Sequence, residues 1–123
     1  MMQAEGEILV VDDDPLLRLG MVCMLRDMGY APLAARDPGR ALPLAERTPN
    51  LALLITDYQM PGMNGVELAR KLVGERPELQ VLIVTGDQEM PDALQPGWRK
   101  LSKPFTPYEL QRVLGEVTLG RPH

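Results

Sequence analysis

The sequence predicts an α/β domain, a doubly wound parallel sheet with helices on both faces. Three observations point there. Short aliphatic runs alternate with helix-like segments along the chain. Runs such as Leu51-Ala-Leu-Leu-Ile-Thr56 and Gln80-Val-Leu-Ile-Val-Thr85 are apolar almost throughout rather than at every second position, as strands covered on both faces are. A length of 123 residues suits one domain with one real core. Aromatics are only 4% against 45% apolar residues, so that core must be built from Leu, Val, Ile, Ala and Met.

Each element has its own local reason. Glu7-Ile-Leu-Val-Val11 is a short β-branched run ending in three aspartates, and it reads as a buried strand. Asp14-Pro15 opens a helix, with Asp as cap and Pro at the first helical position. Leu16, Leu19 and Cys23 mark its apolar face to about Met28, with Val22 and Met24 a little off that line, and Gly29 stands where a stop belongs. Residues 32–35 form a weak second strand. Asp37-Pro38 repeats the cap-plus-proline start of a helix toward Arg47, which Pro43 should shorten or kink. The third strand, residues 51–56, is central, and Asp57 follows it directly. Met60-Pro-Gly-Met-Asn-Gly65 is a turn cluster, leading to a helix over residues 66–75.

Gln80 to Thr85 make the fourth strand. Beyond it Pro91, Pro96 and Gly97 leave room for about one helical turn over residues 92–95, so the fourth helix is short or missing. Residues 98–102 form a fifth strand of poor composition, broken by Lys103-Pro104. Thr106-Pro-Tyr-Glu109 is a capping box with Pro at the first helical position, opening a last helix to about Val117. One domain therefore spans residues 7–119, with tails at 1–6 and 120–123, and no repeat or linker interrupts it. Five strands suit the flavodoxin-like order 2-1-3-4-5 in three α/β/α layers.

Composition excludes several function classes. A net charge of -4 and no basic run argue against direct nucleic-acid or anionic-membrane binding. With one cysteine and one terminal histidine, His123, there is neither an internal disulfide nor a soft-metal site. Cys23 is expected to be a buried small hydrophobe. No apolar run approaches membrane-spanning length and no secretory signal opens the chain, so a cytoplasmic protein is expected.

Open α/β sheets bind ligands just past the carboxyl ends of their strands. There the first strand delivers Asp12, Asp13 and Asp14, the third Asp57, the fourth Thr85 and the fifth Lys103. Two carboxylates about 4 Å apart repel by about 4 kcal/mol at an effective dielectric of about 20. Such a rim needs cations. Lys103 supplies one charge, and oxygen-only ligands select a hard divalent ion over zinc.

The segments ILVVDDDP, LLITDYQMPGMNG, VLIVTGD and LSKPF resemble, in the family's order, the receiver domains of two-component response regulators. The resemblance covers nearly the whole chain. A chemotaxis receiver is itself a standard example of the 2-1-3-4-5 order, so that order is adopted from known folds. The resemblance implies that Asp57 is the phosphoacceptor and that Mg2+ is bound by Asp13, Asp57 and the Gln59 carbonyl, with Asp12 acting largely through water. It implies that Thr85 is the switch hydroxyl, that Lys103 pairs with a phosphoryl oxygen, and that the bond before Pro104 is cis. The expected partners are a histidine kinase or histidine phosphotransfer domain, or a small phosphodonor. The expected chemistry is limited to the domain's own phosphorylation and dephosphorylation.

Some positions depart from the family. Lys100 stands where receivers usually have an aromatic coupled to the switch hydroxyl, and Gly86 replaces a more usual alanine. The stretch between Thr85 and Lys103 is short and rich in proline. These departures leave a second expectation open, a receiver-like protein-binding module that is not phosphorylated. A third, an aspartyl-phosphate hydrolase of the haloacid dehalogenase kind, fits the Asp12-Asp-Asp14 pattern but lacks the downstream motifs.

Overall fold

Four apolar runs and one largely polar segment become five strands. The computed structural model describes residues 6–86 and 94–117. Its strands are β1 (Glu7–Val11), β2 (Ala31–Ala35), β3 (Leu51–Asp57), β4 (Gln80–Thr85) and β5 (Arg99–Ser102). All neighbouring pairs are parallel, and the order is β2-β1-β3-β4-β5, the one adopted above from known folds. The described residues also form four helices: α1 (Pro15–Asp27), α2 (Pro38–Glu46), α3 (Gly65–Glu75) and α4 (Pro107–Gly115). The helical turn expected over residues 92–95 lies partly outside the described residues; Leu94 and Gln95, within them, are not helical. Both tails lie almost wholly outside them.

The two-residue alternation of a strand splits the apolar runs between two cores. Leu9, Val11, Leu54, Val81 and Ile83 meet Ala41, Ala45, Leu68 and Leu72 from α2 and α3. Ile8, Val10, Leu53, Ile55, Leu82 and Val84 meet Met21, Leu25, Leu110 and Leu114 from α1 and α4. The uninterrupted hydrophobicity of β3 and β4 follows from this, because both faces are covered. Each such side chain contributes about 1.5–3 kcal/mol by leaving water. Trp98 packs partly buried against the first of the two cores.

Helix ends are fixed by the residues that mark them in the sequence. Asp14 accepts from the backbone N–H of Leu16 at 2.9 Å, and Asp37 from that of Arg40 at 2.8 Å. Thr106 and Glu109 form the reciprocal capping box of α4 at 3.0 and 2.8 Å. Gly29 follows α1 at φ +94°, a conformation that only glycine adopts without strain.

Three expectations are corrected. Cys23 is exposed, and so are Leu16 and Leu19, at 77% and 59%. The buried stripe of α1 is instead Met21, Val22 and Leu25. At about 100° per residue, Leu16, Leu19 and Cys23 lie on the side opposite that stripe. The helix is apolar on two sides, and periodicity alone does not choose between them. Pro43 does not shorten α2, which runs through it to Glu46. The proline forgoes one helical hydrogen bond from an exposed position. Finally, the last helix ends at Gly115, two residues before Val117.

Candidate functional site

Strand register builds the site. In the sheet Val11 lies opposite Thr56, so the next residues, Asp12 and Asp57, stand side by side at the ends of adjacent strands. Asp57 in turn lies opposite Val84, which places Thr85 one step beyond it on the other flank. Hydrogen bonds continue the ladders past these ends. Asp12 N–H donates to the Ala35 carbonyl at 3.2 Å, Tyr58 N–H to the Val84 carbonyl at 2.8 Å, and Lys103 N–H to the Thr85 carbonyl at 2.7 Å. The rim is therefore held by backbone, the most rigid support a fold provides.

Asp12, Asp13 and Asp57 offer one carboxylate oxygen each, and these all lie within 4.8 Å of one another. Lys103 Nζ stands 3.4 Å from Asp57 Oδ2 and 4.0 Å from Asp12 Oδ2. The peptide bond between Lys103 and Pro104 is cis. Thr85 is buried at the carboxyl end of β4, and Gln59 is exposed in the loop after β3. Asp12, Asp57 and Lys103 border a cleft of about 250 Å³ whose walls include Leu16, Met21 and Phe105.

Electrostatics sharpen the picture. Burial pushes the Asp57 carboxyl above the usual carboxylate value; Lys103 opposes that shift, and Asp13 adds to it. Burial also raises Asp12, against the Asp14 N–H that donates to it at 2.9 Å and against Lys103. Three carboxylates thus share one ammonium, and two of the three are only 8% exposed. A hard divalent cation fits this donor set, because all the donors are oxygens and their negative charge exceeds what Lys103 supplies.

The structure brings together Asp12, Asp13, Asp57 and Lys103, with Thr85 at the adjoining strand end. It also shows supports that the sequence reading did not single out. A Cβ on Gly65 would lie 2.3 Å from the Asp57 carbonyl oxygen, so only glycine lets α3 start this close to the strand end. Gly65 N–H donates to the Tyr58 carbonyl at 2.8 Å. Asn64 and Glu67 cap α3 reciprocally, both at 2.9 Å. Their signal was the turn cluster at residues 60–65, recognised as a turn but not as a cap. Arg18 Nη1 donates to the Asp12 carbonyl at 2.7 Å, an α1-to-rim contact for which the sequence carries no pattern.

Comparison with known proteins agrees with this geometry. Residues 8–114 match the family model described as the response regulator receiver domain. The chemotaxis protein CheY of Pseudomonas aeruginosa is 34% identical over 118 residues, covering 90% of this chain and 94% of CheY. The putative two-component response regulator ARR21 of Arabidopsis thaliana is 36% identical over 109 residues, 86% of this chain. The chain spans only 18% of ARR21's length, and 23% of that of the C4-dicarboxylate transport regulatory protein DctD of P. aeruginosa. Among solved structures, the Vibrio cholerae chemotaxis protein CheY4 superposes with a TM-score of 0.82 at 27% identity, covering 93% of this chain and 99% of that one. A CheY-like receiver domain protein from Methanospirillum hungatei gives 0.82 at 29% identity, covering 90% and 91%.

Proposed function

The chain belongs to the response regulator receiver domain family, and from that premise we propose that it accepts a phosphoryl group on Asp57 from a histidine kinase or histidine phosphotransfer domain. The observation that carries the proposal is the convergence of Asp12, Asp13 and Asp57 within 4.8 Å, with Lys103 3.4 Å from Asp57. The family match is coarser than this reading, which is supported by the acidic cluster and the nearby Lys103.

In this reading a carboxylate oxygen of Asp57 attacks phosphorus as the bond to the donor's imidazole nitrogen breaks. The attacking group is the ionised Asp57 carboxylate, the form that Lys103 favours against the effect of burial, so no separate general base is called for. Lys103 meets the phosphoryl oxygens, where negative charge is spread in the transition state. Thr85 supplies a hydroxyl from the next strand end. Mg2+, held by Asp13, Asp57 and the Gln59 carbonyl with Asp12 through water, would neutralise the remaining charge between acceptor and donor.

Several further points belong to the same proposal. The receiver unit spans residues 7–119, with tails at 1–6 and 120–123, and it works in the cytoplasm. It catalyses only its own phosphorylation and dephosphorylation, and small phosphodonors can replace the protein donor. The position of the usual switch aromatic is occupied by Lys100, exposed on β5, so the phosphorylation chemistry is the firmer part of the reading.

The test is phosphoryl transfer from a labelled histidine phosphotransfer domain in the presence of Mg2+. Label should move to the wild-type chain and not to Asp57→Asn. Label on Asp57→Asn at the wild-type rate contradicts the assignment.

A further inference from the structure

A second concentration of charge lies at the β2 edge of the sheet, apart from the acidic rim. There α1, β2 and α2 border a shallow cleft of about 460 Å³. Four arginines line it: Arg18 from α1, Arg36 just past β2, Arg40 in α2 and Arg47 at the end of α2. No acidic side chain is among the lining residues.

These charges are not balanced locally. Asp37 pairs with Arg40 at 2.7 Å and more loosely with Arg36 at 3.8 Å. Arg18 donates to a neutral partner, the Asp12 carbonyl. The Arg47 side chain makes no ion pair among the described residues. Among the described residues, Asp37 is the one carboxylate within ion-pair distance of these four guanidinium groups, in a chain whose net charge is -4. Like charges gathered along one cleft raise the local positive potential and favour an anion there.

The chemistry of the lining narrows the anion. A guanidinium presents a planar fork of donors that matches phosphate bidentately and is more weakly hydrated than an ammonium. The volume falls within the range of small-molecule sites, about 300–1,000 Å³. Ala34, Pro43 and Leu44 provide a small apolar floor. Among the described residues, the exposed large apolar side chains, Leu16, Leu17, Leu19 and Tyr108, lie elsewhere. Without such anchors the cleft suits a small anion better than a protein partner.

We infer that the arginine cleft binds a small phosphate-bearing ligand, with its phosphate groups on Arg18, Arg36, Arg40 and Arg47 and its organic part against Ala34, Pro43 and Leu44. Asp57 does not line the cleft, and Arg18 alone of the four reaches the acidic rim, through the Asp12 carbonyl.

The test is an NMR titration of the full chain with inorganic pyrophosphate and with ADP, without divalent ions. Saturable binding of either, at or below the order of 1 mM, with amide shifts centred on Arg36, Arg40 and Arg47, supports the inference. Arg36→Gln with Arg47→Gln should weaken that binding by about tenfold or more, since each removes a charged donor. Both positions are exposed, and the spectrum itself reports whether the fold is kept. Three outcomes overturn the inference: no saturation by either compound, shifts centred on Lys103, or equal affinity in the double variant. An acidic peptide that saturates the cleft while both phosphate compounds fail would overturn it in favour of a protein partner.

Discussion

The Lys103 ammonium stands 3.4 Å from Asp57 Oδ2, and the Lys103 backbone N–H donates to the Thr85 carbonyl at 2.7 Å. One residue thus joins the third and fourth strand ends, through its side chain to one and its main chain to the other. Sheet geometry fixes the Lys103 backbone, and its flexible side chain spans the remaining distance to Asp57.

Removing that charge should slow phosphorylation without unfolding the domain. Lys103→Met is expected to lower the rate of Asp57 phosphorylation by about 10- to 100-fold, the worth of one charge-assisted contact. Lys103→Arg should restore little, because a planar fork does not place its charge where a compact ammonium does. Rates of adduct formation with a small phosphodonor measure both.

The acidic rim should cost stability at neutral pH. Burial raises the carboxyls of Asp57 and Asp12, with Lys103 only partly opposing it. The folded protein then binds these protons more tightly than the unfolded chain. Their stabilising contribution is present below the ordinary carboxylate value and is lost as pH rises through the raised native value. Asp57→Asn should therefore raise Tm at pH 7 without divalent ions, and the gain should vanish near pH 3. Adding Mg2+ should raise Tm of the wild type and leave the variant almost unchanged. Thermal melts at two pH values, with and without Mg2+, check both statements.

Two glycines on one helix should respond in opposite directions. Gly65→Ala drives a Cβ to 2.3 Å from the Asp57 carbonyl and should destabilise by about 1–3 kcal/mol, displacing Asp57 as it does. Gly74, exposed on α3 with nothing within 4 Å, should gain about 0.5–1 kcal/mol when replaced by Ala. Urea denaturation of the two variants gives both numbers.

Much of the fold was legible because its signals are local. Asp14-Pro15, Asp37-Pro38 and Thr106-Pro-Tyr-Glu109 are caps that act on their own next turn. The runs leading to Asp12, Asp57 and Thr85 are apolar on both faces, and that alone requires a covered sheet. What escaped the sequence depends on tertiary approach. Gly65 matters because α3 starts against the Asp57 carbonyl, and Arg18 because α1 passes the Asp12 carbonyl. Neither approach leaves a periodic trace. The face of α1 was misread for a different reason: both of its sides carry apolar residues.

The two apolar sides of α1 lead to a further prediction. Leu25 is fully buried, and Leu25→Ala should cost about 2–5 kcal/mol. Leu19, 59% exposed, should lose under about 0.5 kcal/mol on the same change. Equal costs in chemical denaturation would show that α1 packs by its other face.

The central claim is that Asp57 is a phosphoacceptor served by the surrounding charges, and intact mass spectrometry after incubation with Mg2+ and a small phosphodonor tests it most directly. The account predicts a gain of about 80 Da, one phosphoryl group, that maps to Asp57 and is absent from Asp57→Asn. No gain with any donor, or the same gain in Asp57→Asn, would contradict it.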